Sequence, residues 1–315
     1  MIITVTLNPA LDKTVEIPRF SLDAVNRITT LRTDPGGKGL NVSKVIAKLG
    51  GTSTAIGVLG GTTGRRIADA MEVPGISGRF TFVDGETRTN LKVIDPENHT
   101  NTDLNEPGLT VTPAVLDRMR TELVDMLHPG DLVVLSGSLP KGAPADTYGT
   151  WASACRAAGA QVFLDADGEA LAHGLDAKPY LVKPNNHELS RLTGRALNTA
   201  EDLLAAAQEL IARGIEHVVV SMGGDGALFV SADSAYHAEG LSVPVGSTVG
   251  AGDSMVAALA FAAEQGMTRE DTVRLAVAVS AANVMCSGSQ AAERSAVDAL
   301  LPRVKFHRIG TDIKE

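Results

Sequence analysis

Near the C-terminal end of the chain, Thr248-Val249-Gly250-Ala251-Gly252-Asp253-Ser254 stands immediately before a helical pattern. The glycines strip side chains from successive backbone N–H groups where a helix begins. The first N–H groups of a helix lack internal partners and the helix dipole is positive there, so such a surface holds anions. Asp253 at the rim has no place in a site for phosphate alone. It fits a site where an acid takes a proton from a nucleophile while the amides hold a phosphoryl group in transfer. A glycine-rich turn capped by Asp is the structural alternative. The catalytic alternative needs a sugar site and a nucleotide site elsewhere in the chain.

Candidates for both occur. Gly36-Gly37-Lys38-Gly39-Leu40-Asn41 precedes a helical pattern, and no Gly-Lys in it is followed by Ser or Thr, so it is not a Walker A loop. Lys38 and the bare amides suit a sugar phosphate or hydroxyl, Asn41 suits a hydroxyl, and a flexible loop with a solvated lysine is the alternative. Asp12, after Asn8-Pro9, suits two sugar hydroxyls or a simple turn. Arg88, on an expected strand, suits a phosphate bidentately or a wet sheet face. Asn185 and Glu188, in Lys183-Pro184-Asn185-Asn186-His187-Glu188, share a face of a first helical turn. They suit a magnesium ion that keeps most of its waters, and equally a capping box. Ser221-Met222-Gly223-Gly224-Asp225-Gly226 reads as a hairpin turn, or as a loop that lets adenine and phosphates come close. Asp165-Ala166-Asp167-Gly168 has carboxylate spacing like a calcium loop without the remaining ligands, which favours a structural or substrate-proximal role.

The elements that must position these residues are legible as periods. Residues 2–7 read as a buried strand. Val42, Val45, Ile46 and Leu49 share one face of a helix over 40–49, with Gly50 as its stop. A glycine-rich turn at 57–64 precedes a helix expected from Arg65. Apolar runs at 132–135, 162–164, 180–182 and 217–220 alternate with helical patterns such as 199–213. Such alternation indicates an α/β fold, a doubly wound, mostly parallel sheet with helices on both faces. Ser136, Asp165, Lys183, Asn185 and Ser221 each follow one of these strands, where such sheets bind ligands. Residues 11–34 and 80–104 read instead as strands with one wet face, a small β-sheet lid. The core is then 1–10, 35–79 and 105–315.

Composition narrows the function. The 315 residues are 44% hydrophobic and 21% charged, ordinary for a globular chain. A net charge of −9 argues against a general nucleic-acid binder. No apolar run approaches the ~18 residues of a membrane span, and the N-terminus lacks a signal peptide's basic region. Cys155 and Cys286 fit no disulfide or zinc spacing and read as two buried free thiols, so the expected compartment is the cytoplasm. Because no Gly-x-Gly-x-x-Gly occurs, a dinucleotide-binding dehydrogenase is disfavoured.

These pieces, in this order, resemble the ribokinase-like (PfkB-type) carbohydrate kinases. The likeness covers nearly the whole chain and includes both family signatures, Gly36–Gly39 with its helix and Thr248–Ser254. Thr6-Leu7-Asn8-Pro9-Ala10-Leu11-Asp12, Thr87-Arg88-Thr89-Asn90, Asn105-Glu106-Pro107-Gly108 and Ser136-Gly137-Ser138-Leu139-Pro140 are similar to the hexose-phosphate branch. The resemblance implies Asp253 as catalytic base, with Gly250, Ala251 and Gly252 as its anion hole. It implies Asp12, Gly37, Lys38, Asn41, Arg88 and Ser138 on the sugar phosphate. Lys183, Asn185, Ser221, Gly223 and Gly226 would meet the nucleotide, and Asn185 with Glu188 would organise Mg2+ through water. The implied reaction is ATP-dependent phosphorylation of a ketohexose phosphate, fructose 1-phosphate first, with tagatose 6-phosphate and fructose 6-phosphate as alternatives. A monovalent cation and a homodimer joined through the lid belong to the same implication, with no nucleic-acid or membrane partner. A non-catalytic sugar-phosphate-binding regulator on the same fold would be expected to lack the base, and Asp253 is present. Two stretches depart from the family pattern: Asp225 in the nucleotide loop, and the region Asn283–Gln290.

Overall fold

The structure, a computed structural model, describes residues 1–288 and 290–310. The chain opens with β1 (Ile2–Thr6), whose five residues are all buried. It crosses into a small sheet through β2 (Ala10–Glu16) and β3 (Thr30–Gly36), then returns as α1 (Lys38–Lys48), β4 (Ser53–Leu59), α2 (Gly61–Ala70) and β5 (Ile76–Phe82). A second excursion, β6 (Thr89–Asp95) and β7 (Thr100–Asn105), completes the small sheet in the order β3-β2-β6-β7.

The remainder alternates regularly: α3 (Pro113–Asp125), β8 (Leu132–Ser136), α4 (Thr147–Ala157), β9 (Gln161–Asp165), α5 (Gly168–Asp176), β10 (Leu181–Val182), α6 (Asn186–Thr193), α7 (Ala200–Ala212) and β11 (His217–Ser221). A hairpin of β12 (Ala227–Ser231) and β13 (Ala235–Ala238) leads to α8 (Ala251–Glu264), α9 (Arg269–Val284), α10 (Arg294–Leu300) and β14 (Phe306–Ile309). The large sheet has ten strands in the order β14-β13-β12-β11-β10-β9-β8-β1-β4-β5. The seven strands from β11 to β5 are parallel, while β12, β13 and β14 are antiparallel additions.

Strand alternation divides the core into two layers. Ile3, Val5, Val133 and Leu135 face one side, with Met119 of α3, Trp151 of α4 and Leu203 of α7. Ile2, Leu132 and Val134 face the other, with Val42 of α1, Met255 of α8 and Val273 of α9. Burial on both faces is why these strands read as solid apolar runs. The chain winds from β1 to β4 on one side and to β8 on the other. The switch point therefore lies at the carboxyl ends of β1 and β8, where open α/β sheets bind ligands.

Four expectations need correction. Residues 80–82 are not in the lid: β5 pairs with β4 in parallel through Leu59↔Phe82, and Phe80 packs on the cluster of Leu11, Leu40 and Ile67. A sheet-edge strand has one wet face, as a lid strand does, so periodicity does not separate them. Conversely Pro35 and Gly36 stay in the lid, paired with Leu11 and Ala10. Helix α2 starts at Gly61 rather than Arg65, because the Glu86 carboxylate accepts from the Thr62 and Thr63 amides and closes the first turn. Cys155 is a buried free thiol as expected, but Cys286 is only half-buried. Among the described residues no helix is long and apolar enough to cross a membrane.

Candidate active site

The first helical turn of α8 builds the site's centre. Gly250 is its N-cap at φ 76°, a left-handed conformation that favours glycine. The first intrahelical bond runs from Ser254 N to Gly250 O at 2.8 Å. The amides of Gly252 and Asp253 precede it and point out of the open helix end, free of side-chain bulk. A Cβ added at Gly252 would stand 3.3 Å from Lys183 Nζ, so a cation lies beside these amides. The Asn283 side chain steadies the loop by donating to Val249 O at 3.1 Å.

Asp253 is 8% exposed and opens onto a cleft of about 980 Å³. Asn41 Nδ2 donates to Asp253 Oδ2 at 2.8 Å. Asn41 was expected on a sugar hydroxyl; its amide nitrogen orients the acid, and its Oδ1 has no hydrogen-bond partner among the described residues. Its sequence neighbour Gly37 adopts φ 122° and starts α1 close against Thr6 and Pro9, which aims Lys38 into the same cleft. Lys38 Nζ donates to Asp165 Oδ1 at 3.1 Å, and Lys183 Nζ lies 3.4 Å from the same oxygen. Asp165 thus bridges a lysine from α1 and a lysine that follows β10. It was singled out in the sequence for its spacing with Asp167 and for its place after a strand, and its pairing with the two lysines was not foreseen. It stands at the end of β9 in register with Ser136 at the end of β8, as its place after a strand implied.

Four charges now share one enclosure, and their protonation follows from it. Burial acts first on Asp165 and would raise its pKa, but Lys183 and Lys38 overcome it and hold the carboxyl below its usual range. Burial also dominates at Asp253, where Lys38 offsets it only in part and Asp165 adds repulsion, so this acid is pushed up. Lys38 is opposed by burial, but Asp165, Asp253 and Glu188 outweigh that and keep it protonated. Two carboxyls are driven apart, one firmly ionised and one more basic than usual, which is the pattern of a general base beside an electrostatic anchor.

The nucleotide candidates line the same cleft: Lys183, Asn185, Ser221, Gly223 and Gly226. Asn185 and Ser221 form a parallel bridge between the chain ends of β10 and β11. The loop at 221–226 is the expected hairpin turn between β11 and β12, and residues of it line the cleft. Asp225 is exposed and outside the cleft lining. Asn185 and Glu188 form a complete capping box: Asn185 N donates to Glu188 Oε2 and Glu188 N to Asn185 Oδ1, both at 2.8 Å. Among the described residues no three acidic, His or Cys side chains cluster as a metal cage. Glu188 with its second carboxylate oxygen fits a Mg2+ ion held mostly by phosphates and water.

Of the sugar candidates, Lys38 lines that cleft, and Asp12, Gly37, Asn41, Arg88 and Ser138 fall outside its lining. Asp12 accepts from Asn90 Nδ2 at 3.0 Å across β2 and β6. Burial raises its pKa against the opposing fields of Lys44 and Arg88. The Arg88 guanidinium donates to the carbonyls of Asn8, Pro9 and Glu106 at 2.8, 3.4 and 3.2 Å. Ser138 Oγ accepts from Asn8 Nδ2 at 3.2 Å. Lys44 of α1, missed in the sequence, links the two groups. It donates to Pro35 O at 2.8 Å, and burial lowers its pKa to about 8 against the fields of Asp34, Asp12 and Asp253. In the Asn283–Gln290 region, Asn283 is buried against the anion-hole loop, and Ser289 lies outside the described residues.

The chain is similar to known proteins along nearly its whole length. A family model described as pfkB family carbohydrate kinase matches residues 5–296. A 1-phosphofructokinase of Haemophilus influenzae is 38% identical over 309 residues, 98% of each chain. One from Xanthomonas campestris pv. campestris is 45% identical over 283 residues, 88% of this chain and 89% of that one. Solved structures of phosphofructokinase-2 from Escherichia coli superpose with TM-scores of 0.91, in complex with substrates and products, and 0.90, in complex with potassium. Both are 32% identical and cover 96% of this chain and 98% of theirs. With a doubly wound sheet, a small second sheet and a glycine-framed acid at a helix N-terminus, this chain belongs to the pfkB family of carbohydrate kinases.

Proposed function

We propose that the protein transfers the γ-phosphoryl group of ATP to the 6-hydroxyl of fructose 1-phosphate, giving fructose 1,6-bisphosphate and ADP. The substrate assignment is supported by the relatives from H. influenzae and X. campestris, which carry the name 1-phosphofructokinase. The observation that carries the chemistry is Asp253 in one cleft with Lys38, Lys183 and the open amides of α8. Asp253, oriented by Asn41, accepts the proton of the 6-hydroxyl. The new oxygen–phosphorus bond forms as the bond to ADP breaks. The Gly252 and Asp253 amides and the two lysines offset charge on the transferring group, which is most of what phosphoryl transfer needs. Mg2+, held at Glu188 and Asn185 through water, would neutralise phosphate charge. Asp12, Asn90 and Arg88 hold the sugar phosphate from the lid side. Closure of that lid excludes water and limits wasteful hydrolysis.

Two partner assignments belong to the same proposal. The lid presents Leu22, Val25, Ile28 and Leu31 at 87, 86, 54 and 60% exposure, an apolar surface suited to a second copy of the chain. A monovalent cation is supported by the potassium complex of the E. coli relative. Reliance on ATP supports a cytoplasmic location for the reaction.

A substrate panel read by ADP release tests the assignment. Fructose 1-phosphate should give the highest kcat/KM. A higher value for fructose 6-phosphate or tagatose 6-phosphate would replace it, and no turnover of any sugar phosphate would end it. The likeness to phosphofructokinase-2 is the reason to include fructose 6-phosphate.

Two further outcomes follow from the site. Arg88→Ala should raise KM for the sugar phosphate about tenfold, the worth of one charge-assisted hydrogen bond, with little change in KM for ATP. A change confined to the ATP constant would move Arg88 out of the sugar pocket. Turnover should also fall on the acid side at a pH above the ordinary aspartate value of 3.8, because Asp253 must be ionised to act and burial raises its pKa. A kcat–pH profile without an acid limb above that value would contradict Asp253 as base.

A further inference from the structure

A second cavity, of about 260 Å³, shares no lining residue with the cleft. It lies at the opposite ends of the strands, next to His217, the first residue of β11, and Ser231, the last of antiparallel β12. One wall is the sheet, through Phe163, Leu181, Val219 and Phe229; the other is Leu259 of α8 and Val273 of α9. Three rings stand in a row along it. Phe163 and Tyr180 have centroids 5.6 Å apart, and Tyr180 meets His217 edge to face at 4.8 Å. Burial, helped by Arg269 and opposed by Asp233, lowers His217 to about 4, so this ring is neutral near pH 7.

One cation stands among the lining residues. Arg269, the first residue of α9, reaches across the β12–β13 turn. Its guanidinium donates to Ser234 Oγ at 2.6 Å and to Ser231 Oγ, and lies 2.6 Å from Asp233 Oδ1. The Asp233 side chain is 70% exposed and that of Arg269 44%. An ion pair so open to water is worth little, and a better-placed anion displaces it readily.

We propose that this cavity is a regulatory binding site for a compact aromatic monocarboxylate, with its ring against Phe163, Tyr180 and Val219 and its carboxylate on Arg269. The volume lies just below the ~300 Å³ at which sites for drug-sized ligands begin, which suits a single ring. Aromatic walls favour an offset or edge-to-face ring over an aliphatic chain. A guanidinium takes a carboxylate bidentately, whereas an ammonium ligand would meet like charge. A sugar phosphate would leave its hydroxyls unpaired against the apolar walls.

Helix α8 connects this cavity to the chemistry. It begins at Ala251 in the anion hole and passes Leu259 and Ala263 in the cavity wall. Eight residues separate Ala251 from Leu259, about 12 Å along the axis. A close-packed helix does not absorb a wedge at one end without shifting at the other. The regulatory half of the proposal rests on the kinase assignment above; the binding half does not.

The test uses the full chain with a non-hydrolysable ATP analogue present to fill the cleft. Benzoate, benzyl alcohol and benzylamine are titrated by calorimetry. Benzoate should bind most tightly and benzylamine least. Arg269→Gln should weaken benzoate at least fivefold and leave benzyl alcohol unchanged. Asp233→Asn should tighten benzoate, because it removes the competing anion from an exposed turn. A purely structural role for the pair would make both variants weaken binding. Displacement of benzoate by the ATP analogue, equal binding of benzylamine, or no tightening in Asp233→Asn would overturn the site. Saturating benzoate should change kcat at least twofold in the wild type and not in Arg269→Gln; an unchanged kcat would refute regulation. Loss of activity on every sugar phosphate would refute the kinase assignment alone, since the titrations do not depend on turnover.

Discussion

Asp253→Asn should bind both substrates with near-normal affinity and lose at least ~100-fold in turnover, the low end of general-base effects. The substitution preserves shape, and the partner amide of Asn41 still has an oxygen to donate to. It removes the acceptor for the 6-hydroxyl proton. The burial that raises the Asp253 pKa also makes it a better proton acceptor than an ordinary aspartate, so the loss falls on kcat rather than KM. The remaining activity should lose its acid limb, since no group titrates there. Single-turnover kinetics with each substrate at saturation separates the two quantities. Turnover within a few-fold of wild type would remove Asp253 from the chemistry and return the motif to a capped glycine turn.

The second large effect is expected at Asp165, through stability as much as activity. Asp165→Asn leaves Lys38 and Lys183 facing each other with no anion between them. Removing one partner of a buried pair costs about 3–5 kcal/mol, because the remaining charge stays desolvated. The Lys183 side chain is 5% exposed and cannot turn to water; that of Lys38, at 34%, can in part, so the low end of that range is expected. The melting temperature should drop by several degrees, a shift of roughly 2–4 °C per kcal/mol for a chain of 150–250 residues and somewhat less for this longer one. The sign of the pH dependence follows from the depressed folded-state pKa of Asp165. Its contribution is complete above the unfolded value near 3.8 and is lost as pH falls through the folded value. The gap between wild type and variant should therefore be full at neutral pH and close in strong acid. A variant as stable as wild type at pH 7 would show that the two lysines do not depend on this carboxylate. KM for ATP should rise as well, because Lys183 loses its anchor beside the α8 amides.

These two residues differ in how far the sequence revealed them. Asp253 was legible because its surroundings are local. Glycines at 250 and 252 and a helical period beyond them define an anion-binding helix terminus within seven residues. The parallel sheet was legible for the same reason: strands buried on both faces show as solid apolar runs, and the lid strands as alternating ones. The capping box at Asn185 and Glu188 likewise follows from a spacing of three. What period cannot convey is which face a wet strand joins, so residues 80–82 were assigned to the lid although β5 closes the edge of the large sheet.

Asp165 was different, because its meaning lies in partners far along the chain. Lys38 is 127 residues from it, and Asn41 stands 212 residues from the acid it orients. Charge state at such a site is set by burial and by fields from neighbouring elements, neither of which a linear spacing encodes. The sequence by itself determined the fold class, the open glycine-framed helix terminus and the acid at its rim, since each is a property of consecutive residues. Only the tertiary structure decided that Lys38 pairs with Asp165, that Asn41 holds Asp253, and that α8 runs from the cleft to a second cavity, because those relations exist only where separate strands and helices meet.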